Sequence, residues 1–417
     1  MSINKRKKKD FYKCIVLAFV FLILSLGYSI RNTFSVFYPA IIEELKFSRA
    51  DTAIMFSISI IMYGFMAPLS GGLVDSYGAK KIIPIGVIIM GSSYALCRYA
   101  NTQIQFYILY GISSVGLSLI GWTPISTYIS HLFTKTRGLA FGILNSSFGA
   151  SILLAYFAQV LILNYGWRNA YTFMGIFFII FIVPISMIIL KENHKKIKES
   201  KLNKENKVKT NNVEINYFDK SKFNFLKTYQ FWFFFFIAFL TLGIAEQIII
   251  VHQVYFLKDM GFNPMFSAKI YSIFGLTFIF GSLWTFLSDY YGREKIFIVA
   301  CSVCIIGVML LVLIKKPEQI MLPILSSILL GCGVGILSPV LFATIADLFH
   351  GQHFGLIQGT VFVGFSVGGA VGPWFAGFIH DKLNSYNIAF FIVVASLLLS
   401  AFLMHLCINF HLRHKYY

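Results

Sequence analysis

Three side chains stand out because they are ionisable yet lie inside long apolar runs: Arg31, Glu246 and His252. A charge placed in such a run costs about 3 kcal/mol on insertion scales, and it usually faces a cavity or a partner. Arg31 carries a planar guanidinium that can hold a carboxylate through a bidentate pair. The alternatives are an arginine that snorkels to an interface, or a structural ion pair. Tyr28 precedes it by one helical turn and shares its face, so both can line one pocket, although tyrosine is also common at interfaces. Glu246 is the one carboxylate well inside an apolar run. A buried carboxyl group can load and release a proton, or serve as a hydrogen-bonded structural group. Gln247, His252 and Gln253 follow it; an imidazole titrates near neutrality, or can simply cap the end of the run. Asn145 and Gln358 are in-run amides that bind a ligand or link helices. The expected site is therefore an anion pocket drawn from Arg31, Tyr28, Asn145, Gln247, His252 and Gln358, with proton exchange at Glu246 or His252.

No catalytic constellation accompanies these residues. Cys301-x-x-Cys304 lies in an uninterrupted apolar run without a second pair or a nearby histidine, so it reads as two thiols packed in a helix. Gly331-Cys-Gly-Val-Gly335 has no preceding strand and no Lys-Ser/Thr, so it reads as helix packing and not as a phosphate loop. No enzyme activity, cofactor or metal site is expected.

The elements that must position the site follow from composition. Of 417 residues, 57% are hydrophobic and 12% charged, a balance that calls for a bilayer. A net charge of +18 raises nucleic acid as a partner. The basic residues instead concentrate in short polar segments between apolar runs, which is a topology signal. With about 20 apolar residues per span, twelve spans are expected: 14–37, 52–73, 82–100, 104–127, 138–163, 170–190, 229–257, 266–288, 296–314, 320–346, 354–379 and 387–410. The fold class is an all-α membrane protein of twelve transmembrane helices in two six-helix bundles, residues 1–190 and 228–417. Between them, 191–227 holds eleven lysines and five acidic residues and reads as a cytoplasmic linker. Lys5 to Lys9, Lys80, Lys81, Lys135, Arg137, Arg293, Lys295, Arg413 and Lys415 all fall on the linker's side. Both termini are thus expected in the cytoplasm, with Lys13 leading into a retained first span and not a cleaved signal.

Between the second and third spans stands Gly71-Gly-Leu-Val-Asp75-Ser-Tyr-Gly78-Ala-Lys80-Lys81, and 214 residues later Thr285-Phe-Leu-Ser-Asp289-Tyr-Tyr-Gly292-Arg293-Glu294-Lys295. The same device at the same place in two halves is an internal repeat. The pattern resembles the signature loop of the major facilitator superfamily. Arg31 to Pro39, Glu43 to Arg49, Arg137 to Gly142, Gly166-Trp-Arg168, His252 to Asp259 with Gly261, Asp347 to Gly351 with Gly355, and Gly372-Pro373 further resemble the bacterial monocarboxylate and oxalate/formate antiporter group. The resemblance implies a secondary transporter of the inner or plasma membrane, with its substrate site between the halves near the midplane. It assigns Gly71, Asp75, Gly78, Lys80, Lys81, Arg137, Asp289, Gly292 and Arg293 to cytoplasmic gating.

Relatives of that group that take small carboxylates often carry an arginine in the eighth span, and oxalate exchangers a lysine in the eleventh. Here Tyr271–Phe280 and Leu356–Ala376 contain neither, so a dicarboxylate held between two cations is not expected. The expectation is a monomer that moves a small organic anion, a monocarboxylate, by proton symport. A proton-driven antiport exporter of amphipathic compounds is the alternative, and a non-transporting membrane sensor is the reading from another class.

Overall fold

The computed structural model describes residues 2–122, 124–125, 137–189, 225–349 and 354–415. Every element in it is helical, with eleven segments long and apolar enough to cross a membrane. In order these are Lys13–Leu45, Arg49–Ala67, Ala79–Tyr99, Gln103–Ile120, Gly142–Ile189, Tyr229–Asp259, Pro264–Trp284, Arg293–Val312, Met321–Ile345, Ile357–Leu383 and Asn387–Asn409. The fifth belongs to a 53-residue helical stretch, Arg137–Ile189, ~80 Å at 1.5 Å per residue and more than twice a bilayer core. Gly166, at φ 75° and ψ 156°, reverses it, which makes a fifth and a sixth span and twelve in all among the described residues. The linker expected at 191–227 falls on 190–224, outside the described residues, apart from a short turn at 225–227.

The repeat is visible in the backbone. Gly78 (φ 86°, ψ 147°) and Gly292 (φ 94°, ψ 142°) adopt the same left-handed turn before the third and ninth spans, a conformation that side-chain-bearing residues avoid. Lys46 (φ 58°) and Gly261 (φ 85°) turn the chain before the second and eighth spans. Each is followed by a side-chain cap, Ser48 accepting from Asp51 N–H and Asn263 from Met265 N–H, which satisfies the otherwise unpaired first-turn donors.

Among the described residues, two long helix–helix seams run between the halves. The second span lies along the eleventh, where Ser57 Oγ donates to Ala370 O at 2.5 Å and Gly64 abuts Ser366. The fifth lies along the eighth, where Gly149 and Gly275 meet so closely that a Cβ on either would sit 2.6 Å from the other's carbonyl oxygen. Small residues at such contacts let backbones approach within hydrocarbon, where packing drives association. Outward faces carry exposed Phe65, Phe157, Ile180 and Phe402, as a lipid-facing surface requires.

Lys80, Lys81, Arg293 and Lys295 mark one end of the molecule, called here the basic end; the opposite is the far end. Gly72, Gly142 and Gly359, all near the basic end, would place a Cβ in open space. Gly275→Val is therefore expected to lower the apparent melting midpoint of the purified protein by several degrees, while Gly142→Val leaves it within about 1 °C, since about 1 kcal/mol moves the midpoint by roughly 2–4 °C in chains of 150–250 residues and by less in a longer one. Equal midpoints for the two variants, read by thermal unfolding in detergent, would remove the fifth–eighth contact as a stabilising seam.

Candidate functional site

The first span runs to Leu45, beyond the limit at residue 37 expected from sequence, because Pro39 and Glu43 sit within a continuing helix. Arg31 therefore lies ~27 Å from Lys13 and ~21 Å from Leu45 along the helix, near its middle and not in its outer third. The helix is interrupted just beyond it, at Thr33. The guanidinium is 4% exposed, so it does not snorkel to an interface. Its Cζ lies 5.6 Å from the ring centre of Tyr28 and 5.4 Å from that of Tyr63, within cation–π range. Its Nε and Nη1 have no hydrogen-bond partner, an expensive arrangement for buried donors.

Glu246 stands in the seventh span, 215 positions after Arg31. The same offset separates Lys46 from Gly261, so the two charges occupy repeat-related places. Glu246 follows a wide-turn π stretch, Phe239–Ala245, and its N–H reaches back to Thr241 O. Such insertions re-aim the next side chain and recur at functional sites. Glu246 is 7% exposed and within electrostatic reach of Arg31, yet the two form no ion pair within 4 Å. Tyr271 of the eighth span completes this surrounding: its hydroxyl donates to Asn32 O at 3.2 Å and its ring lies within reach of both charges.

Aromatic rings close the basic side of Arg31. Tyr28 meets Tyr63 (6.4 Å between centres, hydroxyls 3.1 Å apart) and Phe148 (5.7 Å). Phe148 meets Phe278 at 5.2 Å and Tyr63 meets Phe362 at 6.3 Å. The belt draws on both halves.

Ions and hydrogen bonds close the far side. Arg49 grips both oxygens of Asp259, at 2.5 and 2.9 Å, and donates to Tyr386 Oη at 2.9 Å. Its guanidinium lies 3.8 Å from the centre of the Tyr255 ring. Asp381 accepts from the backbone N–H groups of Arg49 and Ala50 at 3.1 and 2.8 Å, an anion at a helix start where the dipole favours it. His380 Nε2 is 3.5 Å from Asp259, and Lys258 pairs with Glu43. Each of these except the last-but-one contact joins the two halves.

The predicted residues thus separate into groups. Arg31, Tyr28 and Glu246 come together. Gln247 lies beside Glu246, fully buried, with its Cγ against Gly369 and its Oε1 unpartnered. His252 belongs to the far-end closure: its Nε2–H donates to Pro373 O at 2.8 Å, and Nδ1 lies 3.1 Å from Tyr386 Oη. Tyr386 accepts from Arg49, so its proton points to Nδ1 and the neutral ring is tied at both nitrogens. Asn145 donates to Ser282 at 3.3 Å across the fifth–eighth seam, and Gln358 sits one turn into the eleventh helix; both are toward the basic end and away from Arg31. Arg293 joins Asp289 at 2.6 Å and Asp347 at 3.0 Å within the second half. Lys80 and Lys81 are exposed. Gly71, Asp75 and Arg137 lie in helices, but their side chains are outside the described set. Cys301 and Cys304 are buried free thiols, and no His/Cys/Asp/Glu group among the described residues could hold a metal.

Sequence reasoning missed Tyr63, Tyr271 and the far-end set Arg49, Asp259, His380, Asp381 and Tyr386. Opposite charges flanking spans on the same side of both halves were the available signal for the latter. Replacing Arg31 by Met removes an unpartnered charge and should leave the melting midpoint unchanged or raise it. Arg49→Met strips partners from Asp259 and Tyr386, each such charged bond worth about 2 kcal/mol, and should lower it. Thermal unfolding of both variants decides this; a larger fall for Arg31→Met would make that residue a structural one.

A model of the Major Facilitator Superfamily matches residues 17–373 and 324–412. YcxA of Bacillus subtilis, described as an MFS-type transporter, is 23% identical over 406 residues, 93% of either chain. Monocarboxylate transporter 2 of Mesocricetus auratus is 24% identical over 397 residues, 89% of this chain and 79% of that one. The solved structure of the nucleoside transporter NupG superposes with a TM-score of 0.71 at 16% identity, covering 94% of this chain and 99% of that one; at this identity it speaks for the fold alone. With twelve spans, a backbone-level repeat and a family match over most of its length, this chain belongs to the Major Facilitator Superfamily and is a transporter built on that family's alternating-access fold.

Proposed function

We propose that the chain carries a small organic anion, a monocarboxylate, across the cell membrane together with a proton, with Arg31 as the anion anchor and Glu246 as the proton-exchanging group. One observation carries this reading: a buried guanidinium at mid-span keeps two donors, Nε and Nη1, unpartnered, and a guanidinium is the group best suited to hold a carboxylate. A single cation suits a monoanion, and the similarity to monocarboxylate transporters favours the same class.

Charge balance supplies the coupling. A loaded site holding Arg31, a monoanion and protonated Glu246 is neutral. An empty site with ionised Glu246 is neutral as well. An anion beside ionised Glu246, or an empty site with Glu246 protonated, leaves a net charge in a low-dielectric interior, where it is costly. Neutral states cross cheaply, so anion and proton travel together. His252, tied at both nitrogens, is better suited to holding the far-end closure than to exchanging protons.

By the distribution of basic residues, the basic end with both termini faces the cytoplasm and the far end faces outward. The closed far end and the open space at Gly72, Gly142 and Gly359 then favour a conformation leaning inward. The aromatic belt under Arg31 favours one second reading, export of an amphipathic compound by proton antiport.

Uptake of labelled lactate, pyruvate or formate into proteoliposomes, with and without an inward proton gradient, tests the proposal. Native protein should concentrate at least one of them when the gradient is applied. Arg31→Gln should lose uptake by at least tenfold. Glu246→Gln should lose gradient drive while retaining counterflow exchange. Absence of uptake of any monocarboxylate by folded native protein would sink that cargo class and leave export as the reading.

A further inference from the structure

At the far end, outside the Arg31 site, a cavity of about 500 Å³ opens between three turns of the second half and is capped by Arg49, the first-half residue in its wall. Asp259, Lys315, His380, Asn384 and Tyr386 also line it. Lys315 is exposed, so it meets an arriving solute first. His380 is 8% exposed and lies 3.5 Å from Asp259. Counting Arg49 and Lys315 against Asp259, the wall is net positive with His380 neutral. Volumes of this size hold small ligands, and a positive concave mouth concentrates anions.

We propose that this cavity is a second anion site, an entry vestibule in which an organic monoanion docks on Lys315 and exchanges with Asp259 for the Arg49 guanidinium. The proposal rests on the reading of the cargo as a monoanion that enters from the far end. Arg49 is the point of leverage because it holds Asp259, Tyr386 and, through its backbone, Asp381 at once. One carboxylate replacing another on a guanidinium remakes the same two charge-assisted hydrogen bonds. The exchange therefore transfers Arg49 from a bond that ties the halves together to a bond with a mobile ligand. An anion at the mouth thereby loosens the closure that bars its own way. Asn384, which turns the chain at φ 49°, presents a further polar group on the same wall. Asp259 is a competitor in this scheme, and its removal should strengthen binding.

Equilibrium binding of pyruvate and benzoate to the full-length chain in lipid nanodiscs, in an Arg31→Met background that disables the central site, separates the two sites. Methyl pyruvate serves as the uncharged control. Pyruvate or benzoate should still bind the background variant, and methyl pyruvate should not compete. Adding Lys315→Gln should weaken binding about fivefold or more. Adding Asp259→Asn should tighten it about threefold, a gain that a misfolded variant does not produce. A background variant that binds neither anion overturns the vestibule while leaving the Arg31 site standing. Residual binding indifferent to both Lys315 and Asp259 overturns it as well. Background binding equal to native would instead count against Arg31 as the anchor, and the Lys315 and Asp259 order would still decide the vestibule.

Discussion

A guanidinium stays charged at any physiological pH, so burying Arg31 in mid-span sets a fixed positive charge where water is scarce. Everything around it answers that constraint. Tyrosine faces at Tyr28 and Tyr63 soften the charge without neutralising it. Among the described residues, the carboxylate within reach, Glu246, comes from the repeat-related position of the other half and stops short of an ion pair. A fully paired arginine would be a staple between halves. An arginine with two free donors is instead an unsatisfied site, and the fold stabilises that debt elsewhere, through the glycine seams of the second–eleventh and fifth–eighth pairs.

The two sides of this charge are closed by different physics. The far side uses directional bonds around Arg49, which break one at a time and can be exchanged for equivalent bonds. The basic side uses rings from five spans, Tyr28, Tyr63, Phe148, Phe278 and Phe362, whose edge contacts are weak singly and tolerant of sliding. The glycine contacts sit at the level of the aromatic belt, Gly64 next to Tyr63 and Gly149 next to Phe148, where close backbone approach suits them to a fulcrum. Alternating access on this fold then means that one closure re-forms as the other yields.

Much of this was legible in the sequence, and its limits have physical causes. Gly78 and Gly292 were identifiable because only a glycine takes that turn cheaply. Span number followed from apolar length. The expected span 14–37 puts Arg31 in its outer third because Pro39, Glu43 and Glu44 look like a span end, whereas the helix carries them onward to Leu45. Arg49, Asp259 and Asp381 read as scattered loop charges, since their meeting depends on how the halves dock and not on their spacing. Tyr63 and Tyr271 are two of 22 tyrosines, with no local pattern to separate a pocket ring from a packing ring. Asn145 and Gln358 shared the composition of site residues, but their helices place them toward the basic end.

The site and the far closure are also mechanically one unit, because the same two spans carry both. Tyr38 stands seven residues after Arg31 in the first span, donates to Arg49 O at 2.8 Å, and packs its ring 5.4 Å from that of His252. His252 stands six residues after Glu246 in the seventh, and Asp259 ends that helix. The seventh-span helix runs without interruption from Glu246 to Asp259 and transmits tilt along its axis, whereas the first span is interrupted at Thr33 and its two parts can pivot there. A change of charge at Arg31 or Glu246 that draws the first and seventh spans together or apart must therefore shift Tyr38 against His252 and alter the seat of Arg49. The coupling needs no long pathway of side chains: it follows from placing a charge and a latch on each of two repeat-related helices.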